Sequence, residues 1–132
     1  KVNSAGCTPS IVGVGAPSTT AGKRFLIGAV QVLEQSTGIL IYGVHGPATA
    51  AFQGGTLCVM PPLQRTPVQS SRSLGSPPCA GIFAYDFNAR IRSGIDPTLV
   101  FGRQVWAQYW MRDAASPSGT GLTDGLSFAI CP

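Results

Sequence analysis

The segment GRQVWAQYWMRD, residues 102–113, constrains the fold more than any other part of this chain. Successive side chains of a β-strand point to opposite faces. One face here has Val105, Ala107, Tyr109 and Met111, and the other, called the tryptophan face below, has Gln104, Trp106, Gln108, Trp110 and Arg112. Large apolar groups on both faces predict a central strand with protein on each side. The tryptophan face then packs within the domain or contacts another subunit.

Similar alternation recurs along the chain. Residues 25–35 and 38–46 are interpreted as the two strands of a hairpin, residues 79–91 as a strand with its aromatic side in the core, and residues 126–132 as a closing strand. The paired glycines of AFQGGTLCVM indicate a bend or bulge in a further strand. Strand spacings of about ten residues are typical of a sandwich or jelly roll.

Composition agrees with this interpretation. The 132 residues include 17 Gly and 11 Pro, and only 11% of them are charged, so turn formers are abundant and helix-forming charged residues are few. The length fits one domain with a real core. We therefore predict a single all-β domain over residues 1–132, an antiparallel β-sandwich of jelly-roll-like form that is stabilised by disulfides, with an Ig-like arrangement as the alternative.

Several classes of function are disfavoured by the charged residues. Nine basic residues are scattered without a dense stripe, so we expect no nucleic-acid partner. The five acids form no recognisable catalytic pair, and no nucleophile motif surrounds a serine, so we expect no enzyme. His45 is interpreted as a turn residue. The spacing of the cysteines does not fit zinc, and we expect neither a metal nor another cofactor.

The four cysteines, in a chain with few charges, indicate an oxidising compartment. We therefore expect a secreted, extracellular or cell-surface protein. No apolar run approaches the ~20 residues of a membrane span, so we expect no membrane-spanning segment. The sequence has no N-x-[ST] acceptor, and any glycan would then be attached to Ser or Thr.

The first 20 residues are interpreted as an N-terminal arm that is either the domain's own first strand or a donor strand for the next copy. Residues 8–16 are extended and apolar, with Gly, Pro, Ser and Thr around them. An arm of this kind can add a strand to a neighbouring sheet. Ile11, Val12 and Val14 are the candidate interface residues of the arm, and Trp106 and Trp110 are the candidates on the tryptophan face.

A structural ion pair is predicted at the end of the strand that carries the tryptophan face. Arg112 and Asp113 are adjacent there, and the planar guanidinium of arginine pairs well with a carboxylate. We expect Arg112 to pair with Asp86 or Asp124.

Five quoted segments, in the same order, resemble an uncharacterised extracellular domain of secreted proteins from Planctomycetes and related environmental bacteria. They are KVNSAGCTPSIVGVGAPS, GILIYGVHGPATAAFQGGTLCV, RTPVQSS, YDFNARIRSG and VWAQYWMRDAASPSGTGLTDGLSF. The motif positions that match are Lys1, Asn3, Ser4, Gly6, Cys7 and Pro9, then Tyr42 and Gly43, Phe52 to Val59, Cys79, Phe87 to Ala89, and Gln108, Trp110, Arg112 and Asp113.

The resemblance implies secretion and a β-sandwich, and it attaches no enzymatic activity. Its stand-alone members resemble subunits of extracellular protein fibres. We therefore expect a bacterial structural subunit that polymerises head-to-tail with other copies of itself into a pilus-like filament of helical symmetry or a surface layer. A non-catalytic adhesion or carbohydrate-binding module is the alternative.

Four cysteines allow three pairings. The sequence favours Cys58 with Cys79, closing a Pro- and Ser-rich excursion, and Cys7 with Cys131, tying the two ends of the domain together. If the N-terminal arm entered a neighbouring copy, the bond from Cys7 to Cys131 would join two subunits.

Overall fold

The structure is a computed structural model that describes all residues 1–132. It has twelve strands and one short helix. In chain order they are β1 (Ser10–Gly15), β2 (Phe25–Val32), β3 (Thr37–Gly43), β4 (Pro47–Phe52), β5 (Gly55–Val59), β6 (Gln64–Arg65), β7 (Gln69–Ser70), β8 (Arg72–Ser73), β9 (Gly81–Asp86), α1 (Phe87–Ser93), β10 (Gln104–Arg112), β11 (Thr120–Leu122) and β12 (Leu126–Ala129).

The strands form two antiparallel sheets and a separate hairpin. The first sheet has the order β1-β2-β9-β8. The second sheet has the order β11-β10-β3-β6, with β12 also beside β10 and β7 also beside β3. Strands β4 and β5 pair only with each other. The predicted all-β antiparallel sandwich is confirmed.

The core lies between the inner faces of the two sheets. Phe83 of β9 stacks on Tyr109 of β10 with ring centroids 5.3 Å apart. The Tyr109 hydroxyl donates a 2.7 Å hydrogen bond to the carbonyl oxygen of Ile27 on the opposite sheet. In the same core, Phe128 of β12 in the second sheet contacts Phe25 of β2 in the first sheet. Aromatic packing and a buried hydrogen bond thus join the two sheets directly.

The predicted inner face of β10 is confirmed, because its four apolar side chains are all buried. The aromatic side predicted for residues 79–91 is buried at Phe83 of β9 and at Phe87, and Tyr85 is half-buried. In the closing strand, Leu126 and Phe128 pack against the core and Ile130 is buried within it, as the alternation predicted.

Three predictions about individual elements are wrong. Strands β2 and β3 do not form a hairpin, because β2 pairs with β1 and β9 while β3 pairs with β10 in the other sheet. Residues 33–36 carry the chain from one layer to the other, and Gln35 has a positive φ of 55° there. Both strands are largely buried, so each takes partners in its own layer instead of pairing across a tight turn.

The predicted strand over residues 79–91 is also wrong in its second half, since α1 begins at Phe87. The Asp86 side chain accepts a hydrogen bond from the backbone N–H of Ala89, which makes Asp86 the N-cap. Gly94 ends the helix in the left-handed conformation. Phe87 and Ile91 lie four residues apart on one helix face and bury themselves against the core.

The paired glycines mark a turn, not the bend or bulge predicted inside one strand. Gln53 and Gly54 have φ angles of 48° and 77° and join β4 to β5. Two consecutive positive φ values are typical of a type I′ hairpin turn. The resulting β4–β5 hairpin lies outside the second sheet and forms a partial third layer.

The helix content is a single seven-residue segment, and it is too short and too polar to cross a membrane.

Candidate functional site

The tryptophan face of β10 is covered in part by the β4–β5 hairpin of the same chain. At its centre is Gln108, whose side chain is fully buried. Its oxygen accepts from the Cys58 N–H at 2.9 Å, and its nitrogen donates to the carbonyls of Thr56 at 2.9 Å and Thr123 at 2.7 Å. The side-chain amide of Gln108 therefore links the hairpin to the second sheet, and both its oxygen and its nitrogen are hydrogen-bonded.

The two tryptophans flank Gln108 and are half-buried. The Trp110 Nε1–H donates to Gln53 Oε1 at 3.0 Å, and Phe52 packs edge-on to its ring. Trp106 lines a shallow depression beside Cys58 and Leu126. The packing of this face within the domain, which was the first of the two expected arrangements, therefore covers the two rings only in part.

A groove of about 230 Å³ opens beside Trp110 on the outer face of the second sheet. The side chains that line it include Thr37, Ile39, Arg65, Val68, Trp110 and Arg112. The Arg65 guanidinium lies 5.7 Å from the Trp110 ring centroid, in cation–π range. No carboxylate lines the groove. It is therefore a cationic site with an apolar floor.

The predicted ion pair of Arg112 is wrong, because both proposed partners are engaged elsewhere. Asp86 caps α1, and Asp124 Oδ1 accepts from the Ile11 N–H at 2.9 Å. Asp113 is buried and accepts from the Ser4 N–H at 2.8 Å, while its Oδ1 has no hydrogen-bond partner. The Arg112 side chain is exposed at the groove instead.

The remaining two acids are also used inside the chain. Glu34 accepts from the Ala80 N–H, and Asp96 accepts from the Tyr42 hydroxyl at 2.6 Å and from Thr98. Each of the five carboxylates thus accepts at least one hydrogen bond within the domain. The nine basic residues outnumber these five acids, so several arginines have no acidic partner.

Sequence reasoning missed the polar cluster of Tyr42, Arg90 and Asp96. The Arg90 Nε–H donates to the Tyr42 hydroxyl at 2.9 Å, beside Asp96. Burial raises the pKa of Tyr42 far above its ordinary value. Burial alone would raise the pKa of Asp96, but hydrogen bonds from Tyr42 and Thr98 outweigh it, and the pKa is lowered. The cluster fixes α1 against β3, and it adjoins no pocket.

The predicted disulfide pairing is wrong: Cys7 is bonded to Cys79. Asn3 is buried next to this bond, and its Oδ1 accepts from the backbone N–H groups of Ala5 and Cys7 at 3.0 Å. The N-terminal segment therefore turns back onto the first sheet near Cys79. The closed loop spans 72 residues, and by loop entropy it contributes about 4 kcal/mol to the free energy of unfolding.

Geometry explains why the predicted partners do not meet. Cys58 lies on the hairpin outside the second sheet, whereas Cys79 precedes β9 of the first sheet, so the sandwich separates them. Cys131 forms a β-bridge with Ser18, which follows the C-terminal end of β1, whereas Cys7 precedes the N-terminal end of β1. Cys58 and Cys131 are free thiols, the first half-buried and the second exposed.

The candidate interface residues of the arm separate into two groups. Residues 10–15 form β1, which pairs with β2 of the same chain through six residue pairs. Ile11 is buried in the core, whereas Val12 and Val14 are 38% and 64% exposed on the outer face. In this chain the arm is therefore its own first strand. Donation of this strand to a neighbouring copy stays a prediction.

The structure groups no three His, Cys, Asp or Glu side chains in a way that would hold a metal ion. His45 is in an exposed bend between β3 and β4, as the sequence predicted.

Comparison with protein-family models, with curated proteins and with solved structures gives no significant match.

Arg65 is the groove residue that sequence reasoning missed. It belongs to a two-residue strand after a Pro-rich stretch, and no local pattern marks it. Only the pairing of Arg65 with Ile41, which places β6 beside β3, brings its side chain over Trp110.

Proposed function

We propose that the protein is a structural subunit of an extracellular fibre or surface assembly that polymerises with copies of itself. The observation that carries the proposal is an exposed apolar patch, called the β1 surface below, formed by Val12, Val14, Leu26 and Val30. The strand register places these side chains on the outer face of the first sheet, with Val14 opposite Leu26 and with Ser10 opposite Val30.

No charged side chain belongs to β1 or β2 on this face. Leu26 is half-buried, and the three valines are exposed. Contiguous exposed apolar side chains of this kind mark contact sites between proteins. Water is displaced from them when a second surface covers them, which favours association.

The position of β1 at the edge of the first sheet is a second feature that supports the proposal. β1 pairs with β2 alone, so the backbone groups of its other edge have no strand beside them. Asp124 satisfies the Ile11 N–H on that side, and the same two-residue period directs the Gly13 N–H the same way. An open stretch of edge next to an apolar face suits strand addition by a second copy.

A contact between this edge and a different surface of the next copy is heterologous, and heterologous contacts that do not close give filaments. Strand addition without exchange leaves β1 in its own sheet. In the exchanged form, the arm would leave this sheet and take the place of β1 in the next copy, which would carry Ile11 into the neighbour's core.

The free thiols offer a covalent addition to such an assembly. Cys58 and Cys131 lie near opposite ends of the extended segment 125–131, because Gly125 packs on the Cys58 Cβ. About six extended residues separate them by roughly 20 Å, far beyond disulfide reach. A bond at Cys131 would therefore join two chains, with two protons and two electrons passing to an oxidant such as oxidised glutathione.

The test of assembly is light scattering coupled to size-exclusion chromatography over a range of concentrations. We expect large species for the natural chain and monomers for the double variant Val12→Lys/Val14→Lys. The matched control is Leu74→Lys/Ile95→Lys, which adds the same charge at two residues that are 70% and 71% exposed outside the β1 surface. A natural chain that stays monomeric at every concentration would refute the proposal.

The contribution of the thiols is tested by non-reducing gel electrophoresis after exposure to oxidised glutathione. We expect disulfide-linked oligomers that Cys131→Ser abolishes. If Cys131→Ser leaves the ladder of linked species unchanged, Cys131 has no part in the link.

A second candidate function, a non-catalytic adhesion or carbohydrate-binding module, is favoured by the groove beside Trp110. Aromatic rings with polar side chains around them are common in small-molecule sites. A chain that binds a polysaccharide and stays monomeric would have this second function.

A further inference from the structure

The groove beside Trp110 carries an inference about its ligand, and this inference rests on the second candidate function, not on assembly. We infer that the groove binds an acidic polysaccharide, with a uronate carboxylate held by Arg65 and Arg112. Both arginines line the groove, and no acidic side chain does.

The positive charge of the groove is not balanced by acidic side chains of the chain itself. There are five acids against nine basic residues. Each acid already accepts a hydrogen bond inside its own domain, from the N–H groups of Ser4, Ile11, Ala80 and Ala89 and from Tyr42. No carboxylate of this chain lines the groove, so its counter-charge has to come from a bound molecule.

The geometry of arginine selects the anion. A guanidinium presents a planar fork of N–H donors that matches the two oxygens of a carboxylate. Arg65 is held over the Trp110 ring, which limits the loss of side-chain freedom when it binds. Arg112 closes the same groove from the end of β10.

The uncharged lining of the groove favours a saccharide over a peptide as the carrier of the carboxylate. Ile39, Val68 and the Trp110 ring supply apolar surface for the C–H face of a sugar ring, and Thr37 and Thr120 supply hydroxyls. The groove is open to solvent along the outer face of the second sheet, so a polymer can pass through it without its ends entering.

The experiment measures binding of the full chain to polygalacturonate by affinity electrophoresis and calorimetry. Arms with dextran, a sulfated polysaccharide and polyglutamate run in parallel. We expect polygalacturonate to bind most tightly and the affinity to fall with salt. The double variant Arg65→Gln/Arg112→Gln should weaken binding by about tenfold or more, because two charge-assisted hydrogen-bond donors are lost.

The matched control is Arg24→Gln/Arg72→Gln, which removes the same charge from two exposed arginines outside the groove. It should weaken binding by less than about threefold, through the general field alone. Equal losses in the two double variants would overturn the site. All four arginines are exposed, so the variants are expected to fold, and their unfolding midpoints confirm it.

Tryptophan fluorescence locates the ligand. A change in emission on adding polygalacturonate should survive Trp106→Phe and disappear in Trp110→Phe. If dextran binds as well as polygalacturonate, the second candidate function stands and the acidic ligand is wrong. Tighter binding of the sulfated polymer or of polyglutamate also overturns the uronate assignment. If no polymer binds, both the site and the second candidate function fail.

Discussion

The outer faces of the two sheets both carry large apolar side chains, but only one of these faces is partly covered by another part of the chain. On the second sheet, the β4–β5 hairpin covers the tryptophan face, and Gln108 satisfies three backbone groups beneath it. On the first sheet, Val12 and Val14 stay exposed beside an unpaired edge. The tryptophans are the more conspicuous residues, but they are half-buried and pack in part within the domain. The exposed valines form the surface to which we assign the contact with a partner.

Loss of the Cys7–Cys79 bond should lower the free energy of unfolding more than any other change, because this bond anchors the segment leading to the first sheet. The double variant Cys7→Ser/Cys79→Ser should lose about 4 kcal/mol in the free energy of unfolding by urea. Hydrogen exchange should rise at β1 and β9 and stay unchanged at β5. An equal rise in hydrogen exchange at β5 would mean that the two outer faces are not independent.

Removal of the buried amide should uncover the tryptophan face. In Gln108→Ala the Cys58 N–H and two carbonyls lose their partner, and we expect a loss of about 3 kcal/mol in unfolding free energy. Gln104→Ala is the control, because Gln104 is exposed on the same strand face and should change stability by less than about 0.5 kcal/mol. Equal effects in the two variants would contradict the role given to the hairpin.

The hydrogen bond between the sheets should give a smaller effect with a distinct pH dependence. Tyr109→Phe removes the donor to Ile27 and should cost about 1 to 2 kcal/mol at neutral pH. Burial raises the pKa of Tyr109 from 10.0 to about 12. Because the neutral phenol is favoured in the folded state, its contribution is complete below pH 10 and is lost as pH rises towards 12.

The measurement is unfolding free energy against pH for the natural chain and for Tyr109→Phe. The difference between the two should shrink between pH 10 and 12. A difference that stays constant over this range would show that the Tyr109 proton is not coupled to folding.

The smallest effect on stability is expected at the β1 surface. Val12→Lys and Val14→Lys replace exposed side chains, so each should change unfolding free energy by less than about 0.5 kcal/mol. Chemical denaturation of the monomeric state measures this. A loss of several kcal/mol would mean that the valines are part of the core, and their effect on assembly would then say nothing about an interface.

Local patterns in the sequence predicted the features that depend on neighbouring residues. The inner face of β10 follows from its period of two, and the sandwich follows from repeated short strands. The pairing of β2 with β9 depends on residues 49 to 60 positions apart, and no local signal distinguishes it from a hairpin with β3. The start of α1 did have a local signal, since Asp86, Phe87 and Ile91 combine an N-cap with a helical apolar spacing.

The candidate functional residues divide in the same way. Val12, Val14 and Trp110 could be selected from the sequence because apolar and aromatic residues stand out in their segments. Arg65 could not, since its place in the groove depends on where β6 meets β3. The predicted cysteine pairing was wrong for the same reason. The spacing of the cysteines does not indicate at which end of β1, or on which side of the sandwich, each cysteine lies.

The most direct test of assembly through the β1 surface is hydrogen–deuterium exchange at low and at high protein concentration. We expect protection at high concentration in peptides covering residues 10–15 and 25–32, and we expect peptides covering residues 52–59 and 104–112 to exchange alike at both concentrations. Protection confined to the tryptophan face, or no dependence on concentration at all, would contradict this expectation.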